Sequence, residues 1–273
     1  MKAGLISLAA LLIISGIGYG LFYAPWLKVT AVTYDGILGG HQDAVGRVVD
    51  NVLGRKILGI PIGRDILFIR AGALAADLTS QFSFIQNITI QKKYFHTLKI
   101  TATERQAEGV WCFDSGSLTI SPDCRYFDND GVTFGQAIQS SGVLLLNVDD
   151  MRVQSASASL VTVDQRFLKA IQAVVPALTS QGVKVKNITI PVDTYTEFDI
   201  LVGDPASLVP GVGIPTLLGN SAGTSSYLIK FSLDSDIQSQ LDVFRIFRTQ
   251  KMADGTLHPQ YIDLRFDGRV YYR

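Results

Sequence analysis

The residues that could carry chemistry are few and widely spaced. The two cysteines, Cys112 and Cys124, are close in sequence, whereas the three histidines, His41, His96 and His258, stand far apart. Structural zinc sites usually combine four Cys or His ligands, so this spacing favours neither a metal site nor another cofactor site. We expect no metal and no cofactor.

Carboxylates provide no credible catalytic set either. Asp149 and Asp150 are neighbours on a predicted strand, and neighbouring strand residues point to opposite faces, so they cannot share a substrate. The turn at 128–131 lacks the later ligands and the terminal Glu of an EF-hand. The sequence has no G-x-S-x-G elbow, no P-loop and no H-E-x-x-H pair. We therefore expect no enzyme and no small-molecule substrate, with a membrane-tethered cell-wall hydrolase as one alternative.

The cysteine pair has two possible states. If the chain lies outside the cytoplasm, a disulfide between Cys112 and Cys124 is expected, because oxidising compartments favour such bonds. The alternative is two buried free thiols. Net charge is zero, with 24 Lys and Arg against 24 Asp and Glu, so no nucleic-acid partner is expected.

The first 25 residues contain a long apolar run. Residues 3–24 have no charged side chain and lie between Lys2 and Lys28. A bilayer core needs about 20 apolar helical residues, so the run predicts one transmembrane helix. Its length and its aromatic exit at Tyr23 and Trp26 favour an uncleaved anchor over a signal peptide, whose apolar region is about 7–15 residues. The remainder would then lie outside the cytoplasm.

Hydrophobic periodicity divides the region after the run into five elements. Alternation predicts a strand at 26–34, and apolar residues three and four apart predict helices at 41–53 and 74–82. Two further alternating segments predict strands at 85–92 and 97–104. The predicted order is strand, helix, helix, strand, strand.

Strands dominate beyond Arg105, interrupted by two helices. The first helix is predicted to begin near Thr162, and Pro176 should kink or end it because proline lacks the backbone N–H. Ser235 is the predicted cap of the second helix. The run 261–273 is predicted to form a hairpin that turns at Asp-Gly.

Three stretches resemble the FtsQ/DivIB family of cell-division proteins. VTAVTYDG is similar to the opening strand of the family's POTRA (polypeptide-transport-associated) domain, and YFHTLKITATER is similar to its strand signature ending in Glu-Arg. YIDLRFDGRVYYR is similar to the family's closing run of IDLR, an aromatic residue, Gly and Val. The resemblance covers nearly the whole chain.

The resemblance implies an α+β fold in three parts. Residues 1–25 would be a short cytoplasmic stub and a single transmembrane helix. Residues 26–106 would be the POTRA domain, with the order β-α-α-β-β. Residues 107–273 would be a mixed, mainly antiparallel β-domain with two helices.

The implied function is that of a bitopic scaffold of the bacterial divisome. It would be a single-pass plasma-membrane protein at the division septum, with both domains extracytoplasmic. Its partners would be FtsB (DivIC)-like and FtsL-like membrane proteins and other divisome proteins, and it would link early ring proteins to septal peptidoglycan synthesis. The other alternative is a POTRA-bearing transport or assembly component.

The predicted partner-binding surface is the final hairpin. A strand at the edge of a sheet leaves backbone groups that can pair with another chain, and aromatic and Arg side chains are favoured at binding hot spots. The candidate residues are Arg265, Phe266, Val270, Tyr271 and Tyr272, extended by Arg245 and Arg248 of the preceding helix. In family relatives, positions after "LR" and near the end of the last strand contact FtsB. The alternative is that Phe266 and one tyrosine pack inward.

Overall fold

A computed structural model describes most of the chain as two separate compact units, Met1–Arg105 and Gln106–Arg273. The described residues are 10–16, 19, 25–56, 62–93, 96–114, 122–138, 145–152, 162–203 and 226–273.

The predicted transmembrane helix is wrong for the described part of the chain. Within the run 3–24, residues 10–16 are helical, and only Tyr19 is described besides them. Among the described residues, no helix combines the length and the apolar character needed to cross a membrane. The fold is therefore corrected to an α+β fold with mixed sheets.

The first unit packs two helices on a three-stranded sheet. Its elements are β1 Ala31–Asp35, α1 Gly39–Leu53, a 3-10 turn Ile62–Arg64, α2 Ala71–Gln81, β2 Ile85–Lys93 and β3 Thr97–Glu104. The strand order is β1-β3-β2, in which β3 pairs parallel with β1 and antiparallel with β2.

The spacing of apolar residues explains this packing. Val45, Val49 and Leu53 lie four apart on α1, so they form one buried stripe. Leu98 and Ile100 alternate along β3 and point to the same face, where they are fully buried in the same core.

The second unit is built on one mixed sheet. Its strands are β4 Gly109–Phe113, β5 Asp123–Phe127, β6 Thr133–Phe134, β7 Leu146–Asp150, β8 Lys184–Ile190, β9 Glu197–Gly203, β10 Ser226–Ser232, β11 Tyr261–Asp263 and β12 Tyr271–Tyr272. The described strands are ordered β12-β11-β10-β9-β8-β7-β4-β5-β6. Among these described strands, three pairs are parallel: β4 with β7, β7 with β8, and β10 with β11.

Two helices cover one face of this sheet. Helix α3, Gln165–Ser180, and helix α4, Ile237–Phe247, supply apolar side chains to the main core, and the π-helical turn Arg248–Met252 follows α4. The main core also takes every second residue of β9 and β10, such as Phe198 and Phe231. Alternate residues of these strands therefore point to the face opposite the helices, which we call the open face.

Both helix starts differ from the predictions. Helix α3 is capped by Asp164, which accepts the Arg166 N–H, and α4 is capped by Asp236, which accepts the Ser239 N–H at 2.8 Å. A carboxylate both accepts these N–H groups and interacts favourably with the positive end of the helix dipole. Pro176 lies inside α3, so it does not end the helix.

Candidate partner-binding edge

The final hairpin forms one edge of the sheet in the second unit. Strand β11 pairs parallel with β10, and β12 pairs antiparallel with β11 and comes last in the order of the described strands. Gly268 makes the turn with a φ of 64°, a conformation that glycine adopts without steric cost. The Arg269 N–H donates to the Phe266 carbonyl at 3.1 Å and closes the turn.

Backbone groups of β12 point to the open edge. The Arg273 N–H donates to the Tyr261 carbonyl at 3.4 Å, and the Arg273 carbonyl accepts the Gln260 N–H. In an antiparallel pair the backbone groups of successive residues point alternately toward and away from the partner strand. The N–H and C=O of Tyr272 therefore point away from β11, where a strand of another protein could pair with them.

The two neighbouring tyrosines lie on opposite faces of the sheet. Tyr272 is opposite Ile262 of the main core, and its ring centroid lies 4.9 Å from that of Phe247 in α4. Tyr271 is opposite Asp263 on the open face, and its ring meets that of Phe266 edge-on at 5.3 Å. Phe266, Tyr271 and Tyr272 remain 52%, 47% and 46% exposed, so all three present apolar surface to a partner.

Arg265 is held by two carboxylates of the unit. Its Nε and Nη2 donate to the two carboxylate oxygens of Asp263 at 2.9 and 2.7 Å, and its Nη1 donates to Glu197 Oε2 at 2.6 Å. Burial raises the pKa of Asp263, but the hydrogen bonds from Arg265 outweigh it and hold the pKa below its ordinary value. The hydrogen bond to Asp263 is also the main cause of the raised pKa of Arg265. Arg265 therefore ties β11 to β9.

The remaining predicted residues have different surroundings. Val270 is half-buried against the main core. Arg245 is exposed and pairs with Asp242 on its own helix at 3.1 Å, and Arg248 Nη1 donates to the carbonyl of Gln181 after α3. The structure thus places Arg265, Phe266 and the two tyrosines in one hairpin. The Arg248 side chain instead binds the backbone at the end of α3.

A row of charged residues beside the hairpin was missed by sequence analysis. On the open face Lys230 is the register partner of both Asp263 and Asp199, and its Nζ lies 3.3 Å from Asp199 Oδ2. Burial raises the pKa of Asp199, although Lys230 opposes the shift. The alternation in EFDILVG and SYLIKFS indicates which residues of each strand face outward. Neither segment indicates how the two strands pair with β11 and β12, so the alignment of the charged residues with Tyr271 could not be predicted.

The cysteines lie away from this edge, on strands near the other end of the order. Cys112 of β4 and Cys124 of β5 are direct cross-strand partners, and a disulfide joins them. Both are buried in a small cluster with Val110, separate from the main core. Elsewhere in the described ranges, no group of three or more His, Cys, Asp or Glu residues could hold a metal ion.

Comparison with known proteins relates the chain to a named protein. No family model matches the sequence. The chain is similar to the "Cell division protein FtsQ" of Mycobacteroides abscessus, with 28% identity over 189 residues, which cover 67% of this chain and 53% of that protein. The chain therefore spans about half the length of the curated relative that it matches. Its similarity is thus to a protein of bacterial cell division.

Proposed function

We propose that the chain is a non-enzymatic scaffold of the bacterial division machinery that binds another division protein at β12. The name of the similar protein supports the cell-division role. The observation that carries the binding role is the open edge of β12, flanked by the exposed rings of Phe266, Tyr271 and Tyr272. A two-residue strand offers few backbone hydrogen bonds, so the aromatic side chains must supply much of the affinity.

The partner in this proposal is a small membrane protein of FtsB (DivIC) type, together with one of FtsL type. Its extended segment adds to β12, and its apolar side chains contact Phe266 and Tyr271 on the open face. The assembly works at the division septum and links early ring proteins to septal peptidoglycan synthesis. The resemblance of IDLRFDGRV to the closing run of the FtsQ/DivIB family supports this partner.

The proposal extends to both units. The first unit acts as a POTRA-type domain that takes part in localisation, supported by its order of strand, helix, helix, strand, strand. The second unit works in an oxidising compartment outside the cytoplasm, supported by the disulfide between Cys112 and Cys124.

Binding of the full chain to the FtsB-type protein from the same organism tests the proposal. The double change Phe266→Ser and Tyr271→Ser should weaken binding by roughly 2–4 kcal/mol, because both rings lie at the centre of the proposed contact. The matched control is Ile138→Ser, which removes an 88% exposed apolar side chain that follows β6 at the opposite edge of the sheet. Equal binding by the double variant and the control would contradict the proposed edge, provided that both keep the wild-type melting temperature.

A fluorescent fusion of the chain tests the cellular role. The wild-type fusion should gather at the septum of dividing cells. A fusion distributed evenly through the division cycle would contradict a division role, whatever the chain binds in vitro.

A further inference from the structure

A turn in the first unit exposes two large apolar side chains next to each other. In residues 66–69, Leu67 is 50% exposed and Phe68 is 45% exposed, whereas Ile66 and Ile69 are buried in the core of the unit. Exposed apolar residues that stand singly need no explanation, whereas adjacent ones form a patch of the kind that marks contact sites.

Asp65 holds this turn in place. Its fully buried side chain accepts the Leu67 N–H at 3.1 Å and pairs with Lys28 Nζ at 3.3 Å. Its carbonyl accepts the N–H groups of Phe68 and Ile69 at 3.1 and 3.2 Å. The exposure of Leu67 and Phe68 therefore follows from a fixed turn, and the charge of Asp65 is paired inside the unit.

Two arginines lie beside Phe68. Arg55 and Arg70 line a hollow that Phe68 also lines. The volume of this hollow is about 370 Å³. Lys56 and Arg64 are also exposed, but Arg64 lines a separate hollow together with Asp43 and Asp50. Asp77 also lines the hollow, so the balance of charge around Phe68 is positive.

Gly63 brings the two cationic segments together. Its N–H donates to the Arg55 carbonyl at 3.0 Å, and a Cβ at this position would lie 2.5 Å from the Val52 carbonyl oxygen. Only glycine allows this approach of the 3-10 turn to the end of α1 without a shift of the backbone.

The turn lies beside the residues that follow the apolar run. The Ile66 N–H donates to the Leu27 carbonyl at 2.9 Å, and the Val29 N–H donates to the Arg64 carbonyl at 2.7 Å. The segment 27–29 therefore lies at the same end of the unit as the turn with Leu67 and Phe68. Apolar and cationic features are thus concentrated at one end.

We propose that the turn 66–69 docks on the surface of a membrane that contains anionic lipids. Leu67 and Phe68 enter the interfacial layer, and Arg55 and Arg70 bind lipid phosphates. Apolar side chains beside Lys and Arg are the combination that binds anionic interfaces, and each cation adds to the attraction. The contact is peripheral, because two side chains enter the layer and the backbone stays outside.

A protein partner fits this turn less well. A specific interface buries about 800 Å² on each partner, far more than two side chains at the tip of a turn can provide. A lipid surface needs no matching shape, and its phosphates complement the arginines. The turn belongs to the first unit and the partner-binding edge to the second, so lipid docking does not depend on the proposed function.

The test follows a fluorescent label on the full chain mixed with vesicles. Leu67→Cys is labelled without reductant, so that Cys112 and Cys124 stay joined, and the parent chain without the added cysteine gives the background. The matched control is Leu38→Cys. Leu38 is also exposed, at 67%, but it follows the far end of β1. Vesicles of phosphatidylcholine alone are compared with vesicles that also contain phosphatidylglycerol.

Docking predicts that phosphatidylglycerol vesicles shield the label at 67 from iodide in solution and leave the label at 38 accessible. Salt should reverse the shielding, because it screens the arginines. The double change Arg55→Gln and Arg70→Gln should lower the salt concentration at which the label is released. Equal accessibility at 67 and 38 would overturn the docking, and so would shielding at 67 without vesicles, which would indicate a protein surface there. Equal shielding by both lipids, insensitive to salt, would overturn the role of anionic phosphates.

Discussion

Tyr271 and Tyr272 are adjacent in sequence but have different roles in the structure. Tyr271 meets Phe266 on the open face, whereas Tyr272 lies against Phe247 of the main core. The proposed binding surface therefore combines one ring that packs on Phe266 of the same hairpin with one that packs on the main core. Loss of function after a change at either position has to be separated from loss of stability.

We predict that Tyr272→Ser destabilises the second unit more than Tyr271→Ser does, because Tyr272 packs on Phe247 of the main core and Tyr271 packs on Phe266 of its own hairpin. Loss of the half-buried ring and of its contact with Phe247 should lower the free energy of unfolding by about 1–2 kcal/mol. Urea unfolding of the two variants measures this difference. Equal losses for the two variants would contradict the assignment of the rings to different surroundings.

The pair of Asp263 and Arg265 predicts a dependence of stability on pH. The pKa of Asp263 is lower in the folded state than in the unfolded state, where it is about 3.9. The Asp263 carboxylate therefore stabilises the fold at pH values above about 3.9. This stabilisation is lost as pH falls through the folded-state pKa. Asp263→Asn should be less stable than wild type at neutral pH, and the gap should narrow below about pH 4. Urea unfolding of both proteins at neutral and acid pH measures this difference in the free energy of unfolding.

Asp267→Asn is the matched control for that measurement, since Asp267 lies exposed in the turn of the same hairpin. A stability gap for Asp263→Asn that is the same at both pH values would contradict the ion pair as its source.

At the scale of elements, hydrophobic spacing predicted much of the local structure. The four-residue spacing of Val45 and Val49 marks the helix found at Gly39–Leu53, and alternation marks the strand found at Thr97–Glu104. Helix starts were predicted less well, because Thr162 and Asp164 are both good caps and only the tertiary structure selects Asp164.

The candidate edge could be predicted only in part. The Asp-Gly turn and the alternating run indicated a hairpin, and the aromatic residues indicated a binding surface. The row that joins Asp263, Lys230 and Asp199 depends on pairing between strands far apart in sequence, and no local pattern encodes that register. The transmembrane prediction for 3–24 rested on length and composition alone, and most of that run lies outside the described residues.

The hairpin of β4 and β5 provides a prediction about the disulfide. A bond between Cys112 and Cys124 closes a short loop, with a sequence separation of 12, and should stabilise the unit by about 2–3 kcal/mol through the unfolded state. Alkylation of the unreduced, unfolded protein should modify neither cysteine, and alkylation after reduction should modify both. The reduced protein should unfold at lower urea than the oxidised protein. Two modified cysteines before reduction would show that the bridge does not form in the protein.

At the scale of the whole molecule, the two units give the chain two separate surfaces. The second unit has an edge strand flanked by exposed rings, and the first has the turn with Leu67 and Phe68. The scaffold role proposed above requires contacts with at least two different partners, and these two surfaces could provide them. The partner-binding edge is the central claim, because the division role is proposed to work through it.

Hydrogen exchange of the full chain, with and without an FtsB-type partner, tests that claim most directly. Strand addition gives the outward N–H of Tyr272 a hydrogen bond and covers the hairpin, so exchange should slow in peptides that contain residues 261–273. The far-edge peptides around β5 and β6 serve as the internal control and should exchange at the same rate in both states. Protection elsewhere in the chain, with unchanged exchange at 261–273, would contradict the proposed edge.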